Sequence, residues 1–551
     1  MRPYVLLLLV ATACGSQGGP GSPGAPDAAA AIADAGGDPA ACSSWQRPTP
    51  VPAPVRDDGL APLASAAVPA PTGGDIVDLS AAVRLGKVFF WDTQAGGDGQ
   101  TACASCHVTA GADSRRMNTV APGPDAEFDY EGVTGPAQLA EPHNIGADDR
   151  IGSQGVSAGV FHGVASDPAE SADLCDPVAD PIFAAHRVVT GRNAPTVIAA
   201  VFSRTLFWDG RAEPVFNGAD PFGDTGNAGD DAPLTIAGAA LASQAVGPAN
   251  NQVEMSCAGR GFRDLADKLL ARPPLARQTV APDDSALGCL SAWPAPGLAC
   301  GGAPCTYRAL IAEAFGPDLA ADADNQFARI WGQAIQAYES TLVPDDTPFD
   351  RFLAGDGAAL TQQQQDGLAV FVSSRCNHCH AGAELSDASV GFAAVNGLVN
   401  VDGGDQGFHH NGVRPTSINF SEDLGRAGEG PRGVSFSHSG GSPDRGAFKT
   451  PSLRNVGLTA PYFHNGGKAA LVDVLDFYAA GGDFSSTASQ FRASLFLPTE
   501  EAALLDFLGA ALTDCRVATE KAPFDHPSIE IPNGPELPAV GADGTGTCPS
   551  R

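Results

Sequence analysis

The sequence is poor in methionine, in basic residues and in long apolar runs. Three methionines, Met1, Met117 and Met255, occur in 551 residues. Thioether sulfur, a soft metal ligand, is therefore available at few positions. Lysine and arginine number 32 against 63 aspartates and glutamates, a formal charge of −31. That balance excludes a nucleic-acid backbone as partner. It also keeps a protein soluble and steers basic partners towards it. No apolar run of about 18 residues follows the N-terminus, so no membrane-spanning helix is expected there. Strand signals are scarce. From Gly15 to Pro39 large apolar residues are almost absent, and residues 15–74 read as a flexible linker.

What is present is a repeated motif. Cys103-Ala104-Ser105-Cys106-His107 returns as Cys376-Asn377-His378-Cys379-His380. Two thiols three residues apart each add across a haem vinyl group, and the following histidine binds the iron from one side. A lone C-x-x-C also reads as a redox disulfide or half a zinc site. Histidine directly after the second cysteine, twice, in an exported chain, points to two covalently bound haem c groups. Export is read from Arg2, the apolar core Val5 to Val10 and the small residues before Cys14, which make 1–14 a signal. Ala11-Thr12-Ala13-Cys14 resembles a lipoprotein cleavage site, although Ala11 stands where leucine is usual. Cys14 is thus a candidate lipid anchor in the cell envelope, with simple secretion to the periplasm as the alternative. Of 13 cysteines, four lie in the motifs and one is Cys14. The remaining eight, an even number in an oxidising compartment, suggest up to four disulfides. Cys300 with Cys305, and Cys515 with Cys548, are candidate pairs.

Periodicity places a helix over Ala81 to Phe90. A clearer amphipathic one runs from Asn325 to Leu342, with Phe327, Ile330, Trp331, Ala334, Ile335, Tyr338 and Leu342 on one face. Ile236 to Ala245 is helix-compatible. Thr361 and Gln364 form a capping box opening the helix that leads to Cys376. Leu471 to Tyr478 reads as a helix stopped by Gly481-Gly482, and Thr499 as the cap of the last one. Residues 108–185 and 381–447 read as loop. The expected fold is mainly α: two cytochrome c-like haem domains, 75–354 and 355–516, with long loops, few short strands and a tail over 517–551.

The order of landmarks resembles the bacterial di-haem cytochrome c peroxidases and the related MauG enzymes. The likeness covers roughly 79–513. It rests on Leu85-Gly86-Lys87, Arg192-Asn193-Ala194-Pro195-Thr196, Phe207-Trp208-Asp209-Gly210-Arg211, Glu254-Met255, Phe448-Lys449-Thr450-Pro451-Ser452-Leu453-Arg454-Asn455 and Pro461-Tyr462-Phe463-His464-Asn465-Gly466, with both C-x-x-C-H motifs. The resemblance implies that the first haem reacts with peroxide and the second takes in electrons. His107 and His380 would be proximal ligands, Glu254 the distal acid/base with Gln244 beside it, and Trp208 the electron path between haems. By itself Glu254 reads as a surface or capping carboxylate; its place in the motif gives it the role. Asn193, with the carbonyls of Thr459 and Pro461, matches an inter-haem calcium site. Fourteen residues after His464, where the peroxidases carry methionine, stands Tyr478, as in MauG. Phenolate there would stabilise oxidised iron; the other reading is a tyrosine packed on the haem edge. The loop histidine that many peroxidases place on the first iron falls at Ala185, one residue from His186; His162 is a weaker candidate. The insert at 212–240 is expected to reshape the mouth of the site.

The function implied is an exported peroxidase reducing hydrogen peroxide with electrons from a small cytochrome c or cupredoxin. The alternatives are a MauG-like enzyme oxidising residues of a protein partner, and a di-haem electron carrier. Replacing Cys103 and Cys106 with alanine is expected to reduce covalent haem from two groups per chain to one, as the two motifs predict, read from the mass of the denatured protein.

Overall fold

The computed structural model describes residues 42–53, 56–145, 148–223, 226, 234–413, 423–439, 444–484 and 496–548. The expected signal, Cys14 and the linker as far as residue 41 lie outside these.

The first motif is carried by two crossed helices. Leu79–Trp91 begins at Asp78, whose side chain accepts from the Ala81 amide at 2.9 Å, satisfying one of the open amides of the first turn. Phe327–Glu339 buries Phe327, Ile330, Trp331, Ala334, Ile335 and Tyr338, the stripe predicted from the sequence. Phe89 lies between Tyr307 and Trp331, at ring-centroid distances of 5.5 and 4.7 Å. Each fully buried side chain of this size contributes about 1.5–3 kcal/mol. The crossing is close because position 86 is glycine: a Cβ there would lie 1.9 Å from the Ala334 carbonyl oxygen. Lys87, fully buried, is held by Asp284 at 2.8 Å and Asp525 at 3.1 Å. Asp525 comes from the tail, where His526 also stacks on Trp91 at 4.7 Å and Ile529 and Ile531 join the same core.

The second motif has its own core. Phe507 meets Phe349 and Phe371 with centroids 5.3 and 5.6 Å apart. Thr361 and Gln364 cap the Gln362–Ser373 helix reciprocally, as the sequence indicates. Arg454 reaches Asp350 at 2.7 Å in the interior. Leu471–Ala480 ends on Gly481 in the left-handed region, φ 83°, where glycine carries no Cβ penalty.

Several expectations are corrected. The last long helix is Pro498–Asp506, and Thr499 lies inside it; Leu497 is the capping position. Pro498 takes the first helical position because its fixed φ and missing N–H suit it. Ile236–Ala237 pairs with Val215–Phe216, so the helix runs only over Ala240–Ala245. The 108–185 stretch is not all loop: Gly159–Val164 pairs antiparallel with Asp173–Pro177, and Gln154–Ser157 with Arg187–Val189. Helix Val390–Asn396 interrupts the second expected loop. The described strands are two to six residues long, so the fold is mainly helical.

Four disulfides form: Cys42–Cys289, Cys175–Cys257, Cys300–Cys305 and Cys515–Cys548. Two are the expected pairs. Gly86→Ala sets a helix-propensity gain of about 1 kcal/mol against overlap with backbone that cannot withdraw. The overlap dominates; a loss of about 1–3 kcal/mol is expected, read as a lower midpoint in denaturant.

Candidate functional site

Eight of the described cysteines are paired, and the four that stay free are Cys103, Cys106, Cys376 and Cys379. These are the thiols needed for two covalent attachments. Each motif starts as a single tight turn, Cys103–Ser105 and Cys376–His378. The histidine that follows is oriented by backbone. His107 Nδ1 is 3.0 Å from the Gly111 carbonyl oxygen, and His380 Nδ1 is 3.2 Å from that of Pro451 and 3.3 Å from that of Leu385. A proton held on Nδ1 leaves Nε2 as the metal-binding nitrogen. Both histidines are half-buried, and desolvation lowers their pKa values. They are therefore neutral, as ligation requires.

Cys103, Cys106 and His107 line a cavity of about 390 Å³. Its other walls bring together residues more than a hundred positions apart: Asn193, Trp208, Gln244, Glu254 and Glu339. The donor set and the cavity fit a haem on the first motif. Gln244 comes from the Ala240–Ala245 helix, which is anchored where Trp331 Nε1 donates to the Ala245 carbonyl at 3.0 Å. Glu254 sits in a turn closed by Asn251, whose backbone oxygen receives the Glu254 amide at 3.2 Å. Strand Gln154–Ser157 presses on this turn. A Cβ at Gly155 would stand 1.8 Å from the Val253 carbonyl oxygen. Cys257, three residues on, is tied to the hairpin through Cys175. Desolvation raises the Glu254 pKa above 4.5, with Arg211 opposing.

Trp208 joins this cavity to the second motif's half of the chain. Its Nε1 donates to the Asn193 carbonyl at 2.8 Å, its own carbonyl accepts from the Lys449 amide at 2.8 Å, and its ring meets His464 edge-on at 6.4 Å. Asn193 donates from Nδ2 to the Pro461 carbonyl at 2.7 Å. Tyr478, on the Leu471–Ala480 helix, is half-buried near both Cys379 and Cys376; desolvation and these thiols raise its pKa, while a hydrogen bond with Asn411 opposes. Phe463 and Phe477 flank its ring.

A family model described as di-haem cytochrome c peroxidase matches residues 80–281. The chain is 31% identical over 277 residues to a cytochrome c551 peroxidase of Pseudomonas aeruginosa, covering 50% of this chain and 54% of the relative. A methylamine utilization protein MauG of Methylophilus methylotrophus is 32% identical over 175 residues, covering 31% and 41%. Over these stretches the chain is similar to di-haem cytochrome c peroxidases and to MauG. The stretch matched by the family model includes the first C-x-x-C-H motif, Trp208, Gln244 and Glu254. The chain spans about half the length of the curated relatives it matches. A solved diheme peroxidase, BthA of Burkholderia thailandensis, covers 90% of this chain and 99% of its own at 19% identity and a TM-score of 0.44.

Two sequence candidates lie elsewhere. His186 is exposed just before strand Arg187–Val189 and does not line the cavity, and neither does the neighbouring Ala185. His162 faces solvent on the hairpin, 2.6 Å from Asp176. None of the described residues of the 212–240 insert lines the cavity; its ordered start is used in pairing with Ile236–Ala237.

The structure adds Glu339, which is 2% exposed and whose Oε2 has no hydrogen-bond partner. Its sequence signal is its place four residues after Ile335, on the apolar stripe of the helix. Burial alone pushes its pKa up to about 8. Between its unfolded value of 4.5 and 8 the unfolded chain loses a proton that the folded chain keeps, so this group's contribution weakens as pH rises. Glu339→Gln is expected to raise the denaturation midpoint relative to the parent at pH 8, and the gain is expected to shrink as the pH falls to 5.

Proposed function

We propose that this chain is an exported di-haem c peroxidase that reduces hydrogen peroxide to water with electrons from a small redox protein. The observation that carries the reading is the convergence of His107, Gln244 and Glu254 on one cavity. Haem bound there would supply an iron centre for cleavage of the O–O bond. Reduction of one peroxide takes two electrons and two protons and yields two waters. Cleavage needs a group that takes a proton from one oxygen and delivers it to the other. Glu254 is that group in our reading: its desolvated carboxyl exchanges protons more readily near neutral pH than an exposed one. Gln244 would hold the peroxide by hydrogen bonds.

Cys376, Cys379 and His380 would hold the haem that supplies electron-accepting chemistry, Tyr478 would be a further ligand to it, and Trp208 would carry electrons towards the first site. The proposed division is an N-terminal peroxidatic domain over 75–354 and an electron-transfer domain over 355–516. The excess of acidic residues, 63 against 32 basic, suits a basic donor such as a cytochrome c or cupredoxin. Export to the periplasm or cell envelope is supported by the four disulfides; Cys14 would be the lipid anchor. No described helix is long and apolar enough to cross a membrane.

Calcium between the haems is part of the proposal. The carbonyl oxygens of Pro461 and Phe463 lie 2.7 and 3.4 Å from the Asn193 amide nitrogen. Turning that amide over, which exchanges O for N in place, would set Oδ1 against these oxygens. Thr459 is in the same segment, and such hard donors suit Ca²⁺.

Tyr478 favours a second reading, a MauG-like enzyme that oxidises residues of a protein partner. Steady-state turnover of peroxide with a reduced cytochrome c or cupredoxin supports the peroxidase; oxidised partner residues without such turnover support the second. Glu254→Gln is expected to lower peroxide turnover by about 10²–10⁴-fold while leaving the haem content unchanged. Tyr478→Met is expected to raise the reduction potential of the second haem, since thioether favours reduced iron; an unchanged potential and spectrum in a redox titration would remove the ligand assignment.

A further inference from the structure

Three arginines line the cavity beside the first motif: Arg150, Arg192 and Arg211. Two are already paired. Arg192 is bonded to Asp209 at 2.7 Å and to Asp423 at 2.6 Å, and Arg211 to Asp209 at 2.8 Å. Arg150 differs: its buried Nε has no hydrogen-bond partner, and its guanidinium forms no ion pair among the described residues. Asp423 is near enough for the Arg150 charge to act on it, but its carboxylate is bonded to Arg192. Ser153 is a second, independent case. It is 2% exposed, lines the same cavity, and its hydroxyl has no hydrogen-bond partner. Backbone sets the two side chains on neighbouring positions. Arg150 Nη1 lies over Gly191, where a Cβ would stand 3.2 Å from it. The Ser153 amide donates to Thr190 Oγ1 at 2.9 Å, and its carbonyl accepts from the Thr190 amide at 2.9 Å. Thr190 and Gly191 line the cavity as well.

A guanidinium and a hydroxyl taken out of water need partners. One group satisfies both: a carboxylate, which a guanidinium fork binds at two points and to which a hydroxyl donates once more. We propose that Arg150 and Ser153 bind a propionate carboxylate of the haem on the first motif. The inference rests on the reading that haem is attached at Cys103 and Cys106. The wall that carries the pair is fixed: Arg150–Ile151 pairs with Val120–Ala121, and the Ile151 amide donates to the Asn465 carbonyl at 2.9 Å. A cation held there favours reduced iron, because positive charge nearby offsets the electron gained. Arg150 would thus set the potential of the first haem and leave that of the second alone.

The test uses the haem-loaded full chain as parent, Arg150→Met, Arg150→Lys and Ser153→Ala. The mass of the denatured protein gives the haem count, a redox titration the potential of each haem, and resonance Raman spectra the propionate bending bands. Arg150→Met is expected to keep both haems, to lower the potential of the first but not of the second, and to shift a propionate band. Arg150→Lys is expected to recover most of the potential but not the band, since an ammonium supplies the charge without the fork. Ser153→Ala, which removes one oxygen and no charge, is expected to shift the same band. An unchanged first potential in Arg150→Met with both haems attached would overturn the proposal, and unchanged bands in Ser153→Ala would overturn the shared site. A parent without haem on the first motif would remove the haem reading and this inference with it. A parent whose first potential moves with added acetate at constant ionic strength would have a free carboxylate on Arg150, which overturns the propionate.

Discussion

The structure depends on one interlock, centred on Arg192. Its guanidinium reaches Asp209 at 2.7 Å and Asp423 at 2.6 Å and lies over the Phe448 ring at 5.3 Å. Phe448 in turn stacks on His464 at 3.5 Å, and the Asn193 amide donates to the His464 carbonyl at 2.8 Å. Three carriers of the family resemblance, Arg192-Asn193, Trp208-Asp209 and Phe448 with His464, are thus one contact. Both carboxylates raise the pKa of Arg192, and both are themselves held ionised, Asp423 lowered to about 2. Charge satisfied on both sides makes this a fixed joint rather than a sliding one, because removing either partner strands a buried charge. Trp208 is positioned by the same joint, so the two motif-bearing parts of the chain are held at one spacing. Electron transfer between haems would need that constancy.

The two motifs are alike in sequence and unlike in surroundings. His107 opens on a cavity lined also by Gln244, Glu254 and Glu339. His380 shares its neighbourhood with the phenol of Tyr478 and with His409, whose Nε2 lies 2.7 Å from Asp387. One site has space and proton-carrying groups; the other has a phenol and an imidazole–carboxylate pair close to its cysteines. Such a contrast is what a division between chemistry and electron handling requires.

Much of this was legible from the residues. Covalent attachment needs two thiols and a histidine at fixed short spacing, so the motifs stand out locally, and once their four cysteines and Cys14 are set aside an even eight remain. The stripe over Phe327 to Tyr338 is legible because one long helix repeats a single period. Tyr478 is found by counting within a family pattern, and the structure sets it near Cys379. Illegible were the features made by distant pairing. Strands of two residues, such as Val120–Ala121, are too short for a period to show. Asp525 of the tail reaches Lys87 across 438 positions, and the segment of Ala185 and His186 lies exposed and away from the cavity. Glu339 carried a faint signal, a charge on an apolar stripe, which reads as a helix-end carboxylate until the cavity beside it is known.

Two carboxyl groups in one desolvated cavity cannot serve the same role. Each is penalised by burial, but only Glu254 has a cation, Arg211, acting on it. Arg211 is fixed by Asp209 at 2.8 Å and lies over Phe207 at 3.8 Å, so its field on Glu254 is built in. Environments that separate the pKa values of two acids also separate their tasks. With burial unopposed, Glu339 stays protonated at neutral pH, a donor without net charge beside Cys103, whose thiol it is near enough to perturb. Arg211 favours the charged form of Glu254 and no such cation acts on Glu339, so the two carboxyl groups meet different fields in the same space.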